Sequence, residues 1–219
     1  MLPTLDSPAL RTQLLRAARW DAEYGDGLSN HLPMALTALA RLGASDERLA
    51  EFATRYAKKL HAAPPAEPWP AGQAWRAPLG QPRAWPAYRT LWRGWIDDEG
   101  APAVLAQALP TLLQGAGAAA FHGPLRAAYA LAANHAEELA DALAYWSCRW
   151  FACGAADGQG SNADTAAVLG ALDLAAELKD QPLIAQQMAQ AAAHPRFAPA
   201  LARWRVDPHI TLPRLAMLA

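Results

Sequence analysis

Three valines and three isoleucines in 219 residues leave this chain almost without the β-branched apolar side chains that strands favour. No run of alternating apolar and polar residues compensates. The sequence offers helical spacing instead, with leucines and alanines recurring at three- and four-residue intervals. The expected fold is all-α: a single globular multi-helix domain over residues 1–219, of about nine to eleven helices. No internal repeat of fixed period points to a solenoid.

Local chemistry suggests where the helices begin and end. Asp6 or Ser7 can cap a first helix, with Pro8 in its opening turn and Leu10, Leu14, Leu15 and Ala18 on one face. Asn30 is the expected cap of a second, which runs to Leu42 and stops at Gly43. Ser45 opens a third, carrying Leu49, Phe52, Tyr56 and Leu60. Lys58 and Lys59 fall in its last turn, where the helix dipole favours cations. Further helices are expected over 87–98 and 102–114, in "LRAAYALAA", and in "HAEELADALAYWSCRWFA". There Asn134 with Glu137 resembles a capping box. Ser161 with Asp164 opens another through Leu178, "LIAQQMAQAAA" adds one more, and the tail offers two short helical pieces.

Between the third and fourth helices the texture changes. Residues 62–87, "AAPPAEPWPAGQAWRAPLGQPRAWPA", hold seven prolines and three tryptophans. Proline at this density excludes long helices and central strands. A flexible linker would not carry so much indole, so an ordered loop pinned by Trp69, Trp75 and Trp85 is expected. Long ordered loops often cover a functional cleft, which makes 62–95 a candidate lid. Arg76, Arg83, Arg89 and Arg93 interleave there with Trp75, Trp85, Trp92 and Trp95. Cation–π stacking accounts for this, and so would an aromatic-lined cover for a flat apolar substrate.

Charge and composition exclude several classes of function. The net charge is −1 and the sequence pI about 6.6, so no nucleic-acid-binding surface is expected. No apolar run reaches the roughly 18 residues that span a bilayer, and the first twenty residues lack the order of a signal peptide. The expectation is a soluble, cytoplasmic chain with no membrane partner. Cys148 and Cys153 form neither a CxxC pair nor a disulfide framework and read as ordinary buried thiols. There is no GxGxxG, GxxxxGK[ST] or GxSxG motif. "GQGSNAD" opens a helix and could bind an anion, though a loop and cap explain it equally.

The histidines carry the remaining chemistry. Placed at the first helical position, His31 shares a face with Ala35, Ala38, Leu39 and Leu42, and so is expected to point into the core. The positive end of the helix dipole disfavours imidazolium, and a neutral imidazole is what a metal ion or a general base requires. "NHLP" and "FHGP" both put proline two residues after histidine, so His122 is also expected at a helix entrance. His122, Arg126 and Tyr129 fall on one face at offsets of four and seven. Arg126 could hold an anionic oxygen and Tyr129 could donate a hydrogen bond. A helix-entry histidine is also commonly a cap or a hydrogen-bonded core residue. No HxxxH, HExxH or ExxH spacing is present, so any metal site must be assembled across helices.

"YGDGLSNHLPMALTALARLGAS" and "GAGAAAFHGPLRAAYALAANHAEELADALAYW" resemble two blocks of the questin oxidase-like family, together about a quarter of the chain. The resemblance implies an oxidoreductase that acts on a small aromatic molecule, an anthraquinone-type polyketide, by oxygen insertion or ring cleavage. It implies non-haem iron held by histidines, NADPH, or both. By the same resemblance His31 and His122 would be metal ligands, with His209 in "DPHITLP" as third choice and His135 and His194 as weaker ones. The chain departs from the family pattern at Arg126, where a second histidine would stand, and in having no lysine after Lys179.

Three functions follow as expectations. The first is an oxygenase with metal on His31, His122 and His209, Arg126 and Tyr129 at the substrate, and the lid closing over them. The second is a non-catalytic helical binding protein that grips a flat apolar ligand. The third is a metal-free, NADPH-dependent oxidase.

Overall fold

The structure is a computed structural model that describes residues 7–154, 160–161, 165–174 and 177–204. The chain divides into two compact units, residues 1–151 and 152–219. Unit 1 holds α1 (Pro8–Ala17), β1 (Glu23–Tyr24), β2 (Leu28–Ser29), α2 (Leu32–Arg41), α3 (Asp46–Ala57), α4 (Trp85–Glu99), α5 (Ala101–Leu112), α6 (His122–Ala132) and α7 (Ala136–Cys148). Unit 2 holds α8 (Thr165–Leu172), α9 (Ile184–Ala192) and α10 (Phe197–Arg203). The all-α expectation holds, with a two-stranded hairpin as the one sheet among the described residues. No helix among them is long and apolar enough to cross a membrane.

The core of unit 1 is organised on α7. Every residue from Glu138 to Cys148 is buried, so this helix is covered on all sides. α4 and α6 pack along it. Tyr88, Trp92, Val104, Leu112, Leu143 and Tyr145 fill the space between. A second cluster, with Leu10, Leu14, Leu32, Leu36 and Leu49, joins α1, α2 and α3.

Ser7 caps α1 and Ser45 caps α3 through their hydroxyls, as expected. The cap of α7 differs. His135, not Asn134, occupies the N-cap, and its Nδ1 accepts the Glu138 main-chain N–H at 3.1 Å. Asn134 instead takes a left-handed turn conformation at φ +50°.

The proline-rich segment is an ordered loop. Trp69 packs on Tyr88, with ring centroids 5.1 Å apart, and Trp75 on Trp92 at 5.2 Å. The Trp75 carbonyl accepts the Tyr88 hydroxyl, and Gly80 N–H donates to the Ser147 carbonyl at 2.9 Å. Trp85 is not part of the loop: it is the first residue of α4 and is buried.

The hairpin positions the start of α2. "YGDGLS" pairs Glu23 with Ser29 and Tyr24 with Leu28, and turns through Gly25 and Gly27, both at positive φ. Asn30 then joins hairpin to helix. Its amide donates to the Asp21 carbonyl at 2.8 Å, and its Oδ1 accepts the Leu32 N–H at 2.9 Å.

Candidate functional site

His31 and His122 meet across unit 1. Their Nε2 atoms lie 2.8 Å apart, with ring centroids at 4.7 Å and ring planes nearly perpendicular. The expected burial of His31 is overturned. Its side chain is exposed, and the buried residues of α2 are Leu32, Pro33, Met34, Leu36 and Thr37. The apolar stripe thus starts one residue after the histidine. His31 stands in the N-cap position, where the chain has not yet joined the helical phase.

His122 is aimed by an unusual entrance. Ala119, Ala120 and Phe121 all sit in the left-handed region, at φ +47°, +52° and +67°. For L-residues this costs roughly 1–2 kcal/mol each, so the surrounding fold must enforce it. The turn brings the Ala119 carbonyl to 2.6 Å from His122 Nδ1. Gly123 completes the device. A Cβ there would lie 2.9 Å from the Trp146 Cα, so only glycine lets α6 begin this close to α7.

Hydrogen-bond bookkeeping then defines the chemistry. The Ala119 carbonyl requires a proton on His122 Nδ1, which leaves Nε2 as a lone pair. On His31 the neighbouring Ser29 main chain favours protonation. His31 Nε2 faces the His122 lone pair either as an N–H donor or, in the other tautomer, as a second lone pair. In the first case the 2.8 Å contact is a hydrogen bond between the rings; in the second a shared cation would lie between them. Partial burial first, and then the charge of His122, hold the His31 pKa below its ordinary value, which disfavours an extra proton.

The pair suits a metal ion in one specific way. At roughly 2.0–2.1 Å from a shared ion, two imidazole nitrogens stand about 2.9 Å apart at a right angle and about 3.3 Å apart at the tetrahedral angle. The observed 2.8 Å is a hydrogen-bond distance and is also short enough for both nitrogens to reach one ion. A main-chain carbonyl on Nδ1 is also the usual way to orient a ligating histidine. Among the described residues no third His, Cys, Asp or Glu completes a cluster.

Three further residues surround His31 that were not singled out from the sequence. The Tyr56 hydroxyl accepts the His31 main-chain N–H at 3.2 Å. Lys59 Nζ lies 3.8 Å from the Tyr56 ring centroid and 4.8 Å from that of Tyr24. Burial raises the Tyr56 pKa, and hydrogen bonding to Tyr24 raises that of Lys59. Tyr56 and Lys59 are three apart at the end of α3, a spacing visible in the sequence. Their meeting with His31 is tertiary.

The other described site residues divide between the two units. Arg126 is buried and turned into the α6–α7 interface, with Nε 2.6 Å and Nη2 3.0 Å from the Glu138 carboxylate. Tyr129 is half-buried on α6. His135 is the cap of α7. In unit 2, His194 Nε2 lies 3.1 Å from Glu177 and its Nδ1 accepts the Arg196 N–H. His209 lies outside the described residues. Trp69 and Trp75 contact α4. Pro64, Glu67, Arg83 and Trp85 form one wall of a cleft of about 470 Å³ that faces Glu23 and Tyr145.

The family model described as Questin oxidase-like matches residues 28–208, most of the chain and both histidine-bearing helix entrances. No curated protein and no solved structure matches.

Proposed function

Since this chain belongs to the Questin oxidase-like family, a family of oxidoreductase type, we propose that the His31–His122 pair is its oxidative centre. The proposed reaction is oxygen insertion into, or cleavage of, the ring of an aromatic, anthraquinone-like polyketide. The observation that carries the reading is the 2.8 Å approach of two Nε2 atoms from two helix entrances, with the His122 ring held from behind by a main-chain carbonyl. Such a pair can share a cation, and non-haem iron, when bound, would supply oxygen activation.

The chain's own residues have definable parts. His31 and His122 supply two neighbouring nitrogen donors. The Ala119 carbonyl fixes the His122 tautomer and leaves its Nε2 as the nitrogen donor. Tyr129, two turns along α6 from His122, offers a hydroxyl to a substrate oxygen. Arg126 acts from behind, by tying α6 to α7 through Glu138.

Oxygen uptake with a hydroxyanthraquinone, before and after loading with ferrous iron, tests the proposal. Uptake is expected only after loading. Even loss of an outer-shell partner costs about 10–100-fold in such sites, so His122→Ala is expected to lose at least that much. Turnover that survives chelation and depends on NADPH would overturn it.

A further inference from the structure

Among the described residues no carboxylate forms an ion pair with Lys59. Its contacts are the faces of Tyr56 and Tyr24, whose rings meet edge to face with centroids 6.5 Å apart. Cation–π contact holds the ammonium without cancelling its charge. The same Tyr56 accepts the His31 N–H, so the lysine is tied to the site through one residue. Its charge also acts on His31 directly, lowering its pKa.

Two large apolar side chains next to His122 are exposed. Phe121, the residue before His122, is 49% exposed, and Leu125, one turn along α6, is 48% exposed. Four residues apart at the entrance of α6, they offer a flat ring a place to rest beside His122. The pair thus has a held cation and exposed aromatic and aliphatic side chains beside it.

Resting on the reading of this pair as the oxidative centre, we infer that Lys59, with the hydroxyls of Tyr56 and Tyr24, is the specificity element of the site. It selects ligands whose flat ring carries an oxyanion, a phenolate or an aromatic carboxylate. The ammonium takes the charged oxygen, and Phe121 and Leu125 take the ring. Lys59 is a binding residue here, and no covalent step is asked of it.

The test is equilibrium binding to metal-free protein, so that a phenolate cannot score by ligating iron. The probes are 2,4-dinitrophenolate and its uncharged methyl ether, followed by absorbance, with benzoate and benzamide as the carboxylate arm. Wild-type protein is expected to bind one or both anions at least tenfold more tightly than the neutral partner, a gap of about 1.4 kcal/mol. The arm with the larger gap identifies the oxyanion. Lys59→Gln is expected to erase the gap and leave the neutral ligand unaffected, and Lys59→Arg to restore part of it. Lys59 is exposed, so both variants should fold. Equal affinity for anion and neutral probe, no binding of either, or an undiminished gap in Lys59→Gln would overturn the inference. Failure of iron to bind would sink the proposed centre and leave this charge preference to be judged on its own.

Discussion

His122 and Arg126 stand one turn apart on α6 and have opposite fates. Arg126 is 2% exposed, with two nitrogens on Glu138 and its charge answered inside the fold. His122 keeps its Nδ1 on a main-chain carbonyl and presents its Nε2 to another imidazole at the surface. The difference comes from where α7 covers α6. Gly123, Arg126, Ala127 and Ala130 form the buried stripe, and His122 precedes it by one residue. A polar group inside the stripe must find a fixed partner and becomes part of the scaffold. One at its edge can be held from behind and left reactive in front.

The largest effect expected from breaking this contrast is at Arg126. Arg126→Ala strands the Glu138 carboxylate, whose pKa burial already pushes upward, and should cost about 3–5 kcal/mol in denaturant unfolding. Arg126 Nη1 has no partner among the described residues, so the pair is incompletely satisfied. The double replacement Arg126→Met with Glu138→Leu should therefore recover most of that stability. If Arg126→Ala proved mild, the scaffold role would be wrong.

Next is the entrance itself. Gly123→Ala drives a methyl against the Trp146 backbone and should destabilise by about 1–3 kcal/mol while displacing His122. Ala120→Gly acts in the opposite sense. Relief of left-handed strain, less the entropy glycine adds to the unfolded chain, should stabilise by about 0.5–1 kcal/mol. A melting-temperature rise in this variant would show that the turn is held under strain; a fall would show that it is not.

The smallest effect concerns a third helix-entry histidine. Burial, foremost, holds His135 below the ordinary 6.5, against the Arg11 main chain, Glu137 and Asp141, which raise it, while Arg11's charge adds to the lowering. The folded chain therefore binds less proton here than the unfolded chain. Its contribution is complete above that value and is lost as pH falls through it. His135→Asn keeps a capping acceptor and should flatten this part of the acid limb of a stability–pH curve. An unchanged limb would contradict the cap assignment.

The sequence carried the fold class and most helix starts, because leucine spacing and serine caps are local signals. It also carried the pairing of His31 with His122, through the shared "H-x-P" entrance. It misplaced His31 in the core by counting helical offsets from a residue that is not yet helical. It placed Arg126 on the His122 face of one helix, but nothing local says that Glu138 of α7 takes its guanidinium. Lys59 looked like a dipole-stabilised surface cation. Only the fold shows that α3 ends beside the hairpin and His31. The left-handed turn at Ala119–Phe121 had no residue signature at all, since alanine is an unfavourable choice there.

On this account His31 and His122 share a metal ion through their facing Nε2 atoms. Ferrous iron binding to purified, untagged protein tests it most directly, with wild type, His31→Ala and His122→Ala titrated side by side under anaerobic conditions. The account predicts one iron per chain in the wild type and loss of that binding in each variant, with all three still folded by circular dichroism. No binding to the wild type, or equal binding to the folded variants, would contradict it.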